Sequence, residues 1–208
     1  MAGQRVKIEV DDQVTLTGEF SEGQKGAAVV LHPHPLYGGS MHNNVVDALA
    51  RAAAGASMAV LKFNFRGVGG SSGQHDQGRG EQDDVLAATD WLARRAPAPL
   101  VLMGYSFGSL VGSAAAADLA GLAGGVWVSP PWVMGPLAPW PAGAGPLLVL
   151  AGGRDEYGDL AALEGYMSRL GALGRLEAFP EADHFWWGHE SALIEKAQAF
   201  LTSVIALS

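Results

Sequence analysis

The stretch that most constrains this chain is Leu100-Val101-Leu102-Met103-Gly104-Tyr105-Ser106-Phe107-Gly108-Ser109-Leu110. An apolar, strand-like run stops at Gly104. A Gly-x-Ser-x-Gly turn comes next, and a small-residue helical run extends from Leu110 to Leu119. A serine on such a sharp strand-to-helix turn projects its hydroxyl from the carboxyl edge of a sheet, with the amides of the new helix beside it. Gly104 and Gly108 suit the turn because backbone crowds those positions and a side chain would collide there.

The pentapeptide alone says little in a chain with 29 glycines among 208 residues, and motif matches need structural context. A second match, Gly69-Gly70-Ser71-Ser72-Gly73, makes the point. The residues after it, Gln74-His75-Asp76-Gln77-Gly78-Arg79-Gly80, have no apolar period and cannot open a packed helix at once. Ser106 alone has a strand before it and a helix after it, and it is the candidate nucleophile.

The length is that of one domain, residues 1–208, with enough chain to bury a sizeable core. Hydrophobic residues make up 49% and charged residues 16%, which excludes a disordered chain. A net charge of −8 argues against nucleic acid and against an anionic membrane surface as partners. The absence of cysteine removes disulfides, thiolate zinc sites and thiol nucleophiles together. The first nine residues lack an apolar signal core, so the expected location is the cytoplasm. Residues 119–153 are long and uncharged but broken by glycine and by six prolines, so no membrane span is expected.

Arg5 to Val10 and Val14 to Phe20 alternate polar and apolar residues around Asp11-Asp12-Gln13, which predicts an antiparallel hairpin. Gly26 to Leu31 and Met58 to Phe65 read as strands buried on both faces. Further strands are expected at Leu100 to Met103, Gly124 to Ser129, Pro146 to Ala151 and Leu176 to Phe179. Helices are expected at Asn43 to Ala54, Gln82 to Arg95, Leu160 to Leu170 and His189 to Ile205. Strands alternating with helices imply right-handed crossovers and a mostly parallel sheet with helices on both faces. Ligands bind such sheets beyond the strands' carboxyl ends, so the strand exits are where chemistry is sought.

The first exit reads His32-Pro33-His34-Pro35-Leu36-Tyr37-Gly38-Gly39. An acyl-transfer serine needs two fixed N–H donors for the developing oxyanion. One is expected from Phe107, just after the nucleophile. The prolines have no N–H, which leaves Leu36, favoured, or His34 for the second. His32 and His34 also form a His-x-His pair, but no third ligand is found at metal-site spacing, so no metal is expected. The second exit, Arg66-Gly67-Val68-Gly69-Gly70-Ser71-Ser72-Gly73, fails the Gly-x-Gly-x-x-Gly pattern at Ser72 and reads as a structural turn.

Asp155, in Gly152-Gly153-Arg154-Asp155-Glu156, is placed to orient an imidazole. That imidazole is expected to be His184, in Asp183-His184-Phe185-Trp186-Trp187, after the last short strand. Nucleophile, acid and base in the order Ser106, Asp155, His184, each at a strand exit, is more specific than any one piece. Tyr37, Trp132, Trp186 and Trp187 flank these loops and could wall a substrate pocket or serve as core and rim packing.

With these residues in hand, the chain resembles the α/β-hydrolase superfamily, and more narrowly its small dienelactone-hydrolase-like or lid-poor esterase-like members. The resemblance rests on His32 to Gly39, Asn64-Phe65-Arg66-Gly67-Val68-Gly69, Gly104 to Gly108, Gly153-Arg154-Asp155 and Asp183-His184-Phe185. It implies a three-layer fold with an eight-stranded sheet whose second strand is antiparallel, and a serine hydrolase without cofactor. Dienelactone hydrolases proper use a cysteine, which this chain lacks. Pro130 to Gly145 is too short for a helical cap, so the resemblance implies a minimal cap and a small soluble ester or thioester as substrate. A peptidase with the same three residues, or a non-catalytic binding protein on the same scaffold, is the alternative. A monomer or small homo-oligomer is expected.

Overall fold

The computed structural model describes residues 3–207. The chain opens with strands β1 (Gln4–Glu9) and β2 (Thr15–Ser21), paired antiparallel, with Val6 opposite Gly18. Asp11 closes the hairpin: its Oδ1 accepts the N–H groups of Gln13 (2.7 Å) and Val14 (2.8 Å). Next in the chain are β3 (Ala27–Leu31), α1 (Asn44–Gly55), β4 (Ala59–Phe63), α2 (Gly80–Ala93), β5 (Leu100–Tyr105), α3 (Phe107–Ala115), β6 (Leu122–Val128), β7 (Leu147–Gly152), α4 (Leu160–Leu170), β8 (Gly174–Phe179) and α5 (Glu190–Leu207).

All eight strands form one sheet in the order β1-β2-β4-β3-β5-β6-β7-β8. Strand β2 is antiparallel to both of its neighbours, and the remaining pairings are parallel. The three-layer architecture results from where the side chains of each strand go. Every residue of β3 is buried. Val29 and Leu31 face one core, shared with Val85 and Leu92 of α2, Val111 of α3 and Leu163 of α4. Ala28 and Val30 face the other, shared with Val45 and Leu49 of α1 and Leu193 and Leu201 of α5. A strand buried on both faces has no reason to alternate polar with apolar residues, hence the unbroken Ala-Ala-Val-Val-Leu.

The elements agree with the sequence expectations to within a few residues at their ends. Helix α2 begins at Gly80, two residues early, and the small-residue run after Ser106 is α-helical only to Ala115, ending in a 3₁₀ turn at Ala116–Asp118. The segment 130–145 contains only a 3₁₀ turn, Trp132–Met134. Its far end is pinned by buried Trp140, whose Nε1 donates to Gly145 O at 2.8 Å. No helix among the described residues is long and apolar enough to cross a membrane.

Strand β3 is the switch point of the sheet. Its neighbours are β4 on one side and β5 on the other. Crevices open at such points beyond the carboxyl ends of the strands, and here the loops after β3 and β5 lie side by side.

Candidate active site

Ser106 occupies the corner between β5 and α3 with φ 52° and ψ −121°. Left-handed backbone at a non-glycine residue is strained and persists only where its surroundings enforce it. Here the enforcement is steric. A Cβ on Gly104 would meet Gly108 O at 2.6 Å, and one on Gly108 would meet Leu31 O at 2.7 Å. The two glycines therefore let the strand, the helix start and the exit of β3 approach closely enough to force the turn. Ser106 N–H donates to Val128 O (2.9 Å), which ties the corner to β6.

The loops after β5, β7 and β8 bring three side chains together. Ser106 Oγ lies 2.9 Å from His184 Nε2. His184 Nδ1 lies 2.9 Å from both carboxylate oxygens of Asp155. Burial works to raise the Asp155 carboxyl, but the hydrogen bond and charge of His184, the Ser129 hydroxyl and the Tyr157 N–H together hold it below its ordinary value. It stays an anion, the form that fixes Nδ1 as the protonated nitrogen and leaves Nε2 free to accept from Ser106. The phenol of Tyr105 is raised, by burial first and then by the carboxylates of Asp155 and Asp183. It therefore remains a donor, and it holds the His184 carbonyl at 2.9 Å.

One support of this array was not signalled by the sequence. Ser129, just after β6, accepts from Trp186 Nε1 at 2.9 Å, and its hydroxyl helps to hold the Asp155 carboxyl low. Indole N–H is a donor only, so Ser129 has to accept there, which leaves its own proton free to favour the carboxylate. Among the described residues, five non-glycines have positive φ, and three of them are Ser106, Ser129 and Trp186.

Around Ser106 and His184 lies an open cleft of about 670 Å³. Pro33, His34, Tyr37, Pro131, Val133, Met134, Tyr157 and Phe185 wall it, and no lysine, arginine or carboxylate lines it among the described residues. A larger groove of about 840 Å³ between β1 and α2 holds none of the candidate residues.

Several expectations for the surroundings require correction. The N–H of Leu36 is taken by the side chain of its own N-cap, His34 Nδ1 at 3.2 Å, and Leu36 is 70% exposed and off the cleft. His34 itself lines the cleft, and no backbone acceptor takes its N–H among the described residues. Phe107 heads α3, so its N–H has no partner within the helix. Of the four aromatics, only Tyr37 stands on the cleft wall. Trp186 is fully buried in the core shared with α1 and α5. Trp132 packs against the opposite core, and Trp187 is exposed away from the cleft. Val133, Met134, Tyr157 and Phe185 take their place.

His32 is committed to structure. Its Nδ1 donates to Pro33 O (2.6 Å) and its Nε2 accepts the Phe65 N–H (3.0 Å), which leaves neither nitrogen for a metal. The second Gly-x-Ser-x-Gly copy is structural too. Ser71 Oγ donates to Asn64 O at 2.7 Å and accepts the Thr17 N–H at 2.9 Å, fastening the loop after β4 to β2.

The fold and this site define a class. A model of the alpha/beta hydrolase domain matches residues 26–204, and the chain belongs to that family. Two solved structures superpose over nearly the whole chain. An alpha-beta serine hydrolase homologue from Coxiella burnetii is 26% identical with a TM-score of 0.83, covering 97% of this chain and 98% of that one. A serine hydrolase without lid from Xanthomonas campestris is 31% identical with a TM-score of 0.83, covering 96% and 93%. An uncharacterized protein of Rickettsia prowazekii is 46% identical over 86 residues, 40% of this chain and 36% of that protein. Another from Mycobacterium tuberculosis is 31% identical over 122 residues, 57% and 41%. The matches thus span about two fifths of the length of these curated relatives.

Proposed function

We propose that the protein is a serine hydrolase that cleaves small, uncharged carboxylic esters or thioesters through an acyl-enzyme. The observation that carries this reading is the unbroken chain of 2.9 Å contacts from Ser106 Oγ through His184 to Asp155. Ser106 Oγ attacks the substrate carbonyl carbon as its proton passes to His184 Nε2. Asp155 stabilises the imidazolium. The tetrahedral oxyanion accepts from the N–H groups of Phe107 and His34. Collapse expels the alcohol or thiol, which leaves with the proton from Nε2. Water then repeats the sequence against the acyl-enzyme, with His184 again as base.

The substrate class is inferred from the cleft. Its walls are mostly aromatic and aliphatic, with Asn43 and His34 as polar members but no lysine or arginine, and the net charge is −8, so an anionic acyl group would enter without a cationic partner. The cleft is open, in keeping with the short segment 130–145, and the Xanthomonas campestris relative is described as lacking a lid.

The test is a series of p-nitrophenyl esters from acetate to palmitate, together with the anionic hemisuccinate, run on wild type and Ser106→Ala. We expect neutral short and medium esters to be cleaved, the hemisuccinate to be at least tenfold poorer in kcat/KM than the butyrate, and a fluorophosphonate to add its mass at Ser106. Equal rates for wild type and Ser106→Ala refute the proposal.

A further inference from the structure

Glu81 is a fully buried carboxylate that the chemistry above does not use. A buried carboxylate is tolerated only where it is hydrogen-bonded or paired, so its partners indicate what it is there for. Oε1 accepts the N–H of Asp76 at 2.9 Å and Oε2 that of Gly78 at 2.8 Å. The same carboxylate therefore gathers the end of the loop after β4 into a tight turn at the head of α2. His75, the residue before that turn, has its Nδ1 2.7 Å from Glu81 Oε1 and its side chain almost wholly buried. This approach is short but off the line of a good hydrogen bond, so what it fixes is where the ring sits.

The ring packs against two others. Its centroid is 5.0 Å from that of His34 and 5.6 Å from that of Phe107, and those two rings are 4.8 Å from each other. All three are tilted, in a three-ring cluster whose third member comes from a different loop. His34 and Phe107 are the residues whose N–H groups are assigned to the oxyanion. They belong to separate segments, the loop after β3 and the start of α3, and among the described residues no backbone hydrogen bond joins the two at this point.

We propose that His75 is a positioning residue for the oxyanion site: its ring, seated by Glu81, is the wedge that sets His34 and Phe107 relative to each other. This rests on the serine-hydrolase reading. A wedge of this kind acts on the transition state and not on substrate binding, because the oxyanion forms only after attack. Removing one oxyanion donor costs on the order of 10²–10³ in turnover, and loosening both costs part of that.

The test compares His75→Ala with His75→Phe in the whole protein on a neutral p-nitrophenyl ester. His75→Ala is expected to lower kcat at least tenfold with KM within about twofold, and to weaken inhibition by an alkylboronic acid, which forms a tetrahedral adduct on serine, by a similar factor. His75→Phe keeps a flat ring in the same space and is expected to stay within about threefold of wild type on both measures. An active wild type with His75→Ala unchanged in kcat overturns the inference and leaves the hydrolase reading standing. So does a loss in His75→Ala that falls on KM as much as on kcat, or one that His75→Phe shares in full. A wild type that neither hydrolyses esters nor takes up a fluorophosphonate overturns both.

Discussion

Acid should destabilise this protein earlier than its carboxylates alone would require, and His32 is the reason. Its imidazole is fully buried at the exit of β3, where it bridges to the exit of β4. Burial pushes it down to about 4; the bond to Pro33 O opposes this, and His34 nearby adds to it. A proton on Nε2 would also face the Phe65 N–H that this nitrogen now accepts. In the unfolded chain the group returns to about 6.5. Between those two values the unfolded state binds a proton that the native state refuses, so stability rises with pH across the window and is lost as pH falls. From pH 7 to pH 5 the loss is about 2 kcal/mol, approaching about 3 kcal/mol near pH 4. That is a large fraction of the roughly 5–15 kcal/mol typical of a folded domain. Asp155, held below the usual carboxylate value, adds its own loss only as pH falls through the carboxylate range. His34, also lowered, adds a loss of the same sign as His32, so the diagnostic quantity is a difference between proteins. Urea denaturation followed by tryptophan fluorescence at pH 7, 6, 5.5 and 5 gives stability by linear extrapolation. His32→Gln keeps an acceptor for Phe65 but cannot titrate. It is expected to be less stable than wild type at pH 7 and to have a pH slope shallower by about 2 kcal/mol over that range. Parallel slopes for the two proteins would refute the assignment.

Two other perturbations act on the elbow and on the acid. Gly108→Ala drives a methyl against Leu31 O and His32 O, 2.7 and 2.8 Å away. Backbone at a strand exit cannot step aside cheaply, so a loss of about 1–3 kcal/mol is expected, read as a lowered Tm with most of the ester activity gone. Ser129→Ala removes a hydroxyl that helps to hold the Asp155 carboxyl low and strands the Trp186 N–H. The carboxylate then becomes more basic and pairs more strongly with the imidazolium, so the acid limb of the kcat/KM profile should move to higher pH, with kcat down about three- to tenfold. An unmoved acid limb would show that Ser129 does not act through Asp155.

What the sequence discloses and what it hides divide along a physical line. Periodicity records which face of an element is buried, so the alternation of Arg5 to Phe20, the unbroken runs Ala27 to Leu31 and Leu147 to Ala151, and the helix of Leu160 to Leu170 are all legible. Because parallel strands deliver their loops to one edge, residues at the exits of β5, β7 and β8 can meet, and Ser106, His184 and Asp155 lie within 2.9 Å of one another in turn. The misplaced residues are those set by local turns that leave no period. Trp186 comes two residues after His184, a spacing that leaves pocket wall and core packing both open. But Asp183 Oδ1 accepts the N–H groups of Phe185 (2.9 Å) and Trp186 (3.1 Å), winding the chain so that Trp186, at φ 60°, turns inward to Ser129 while Phe185 takes the wall. Leu36 loses its N–H to the imidazole two residues before it for the same reason. His75 sits in a polar, glycine-rich run with no apolar period, and Glu81 opens α2 just after it; neither leaves a pattern because the burial of a polar side chain is dictated by its partners and not by spacing. Local rules are broken most densely around Ser106: left-handed backbone at Ser106, Ser129 and Trp186, and a buried acid, Glu81, at the head of α2. These features are costly in isolation, and the surrounding sheet and helices hold them in place. The arrangement they enforce, a serine hydroxyl aligned with one imidazole before any substrate arrives, is the one that acyl transfer requires.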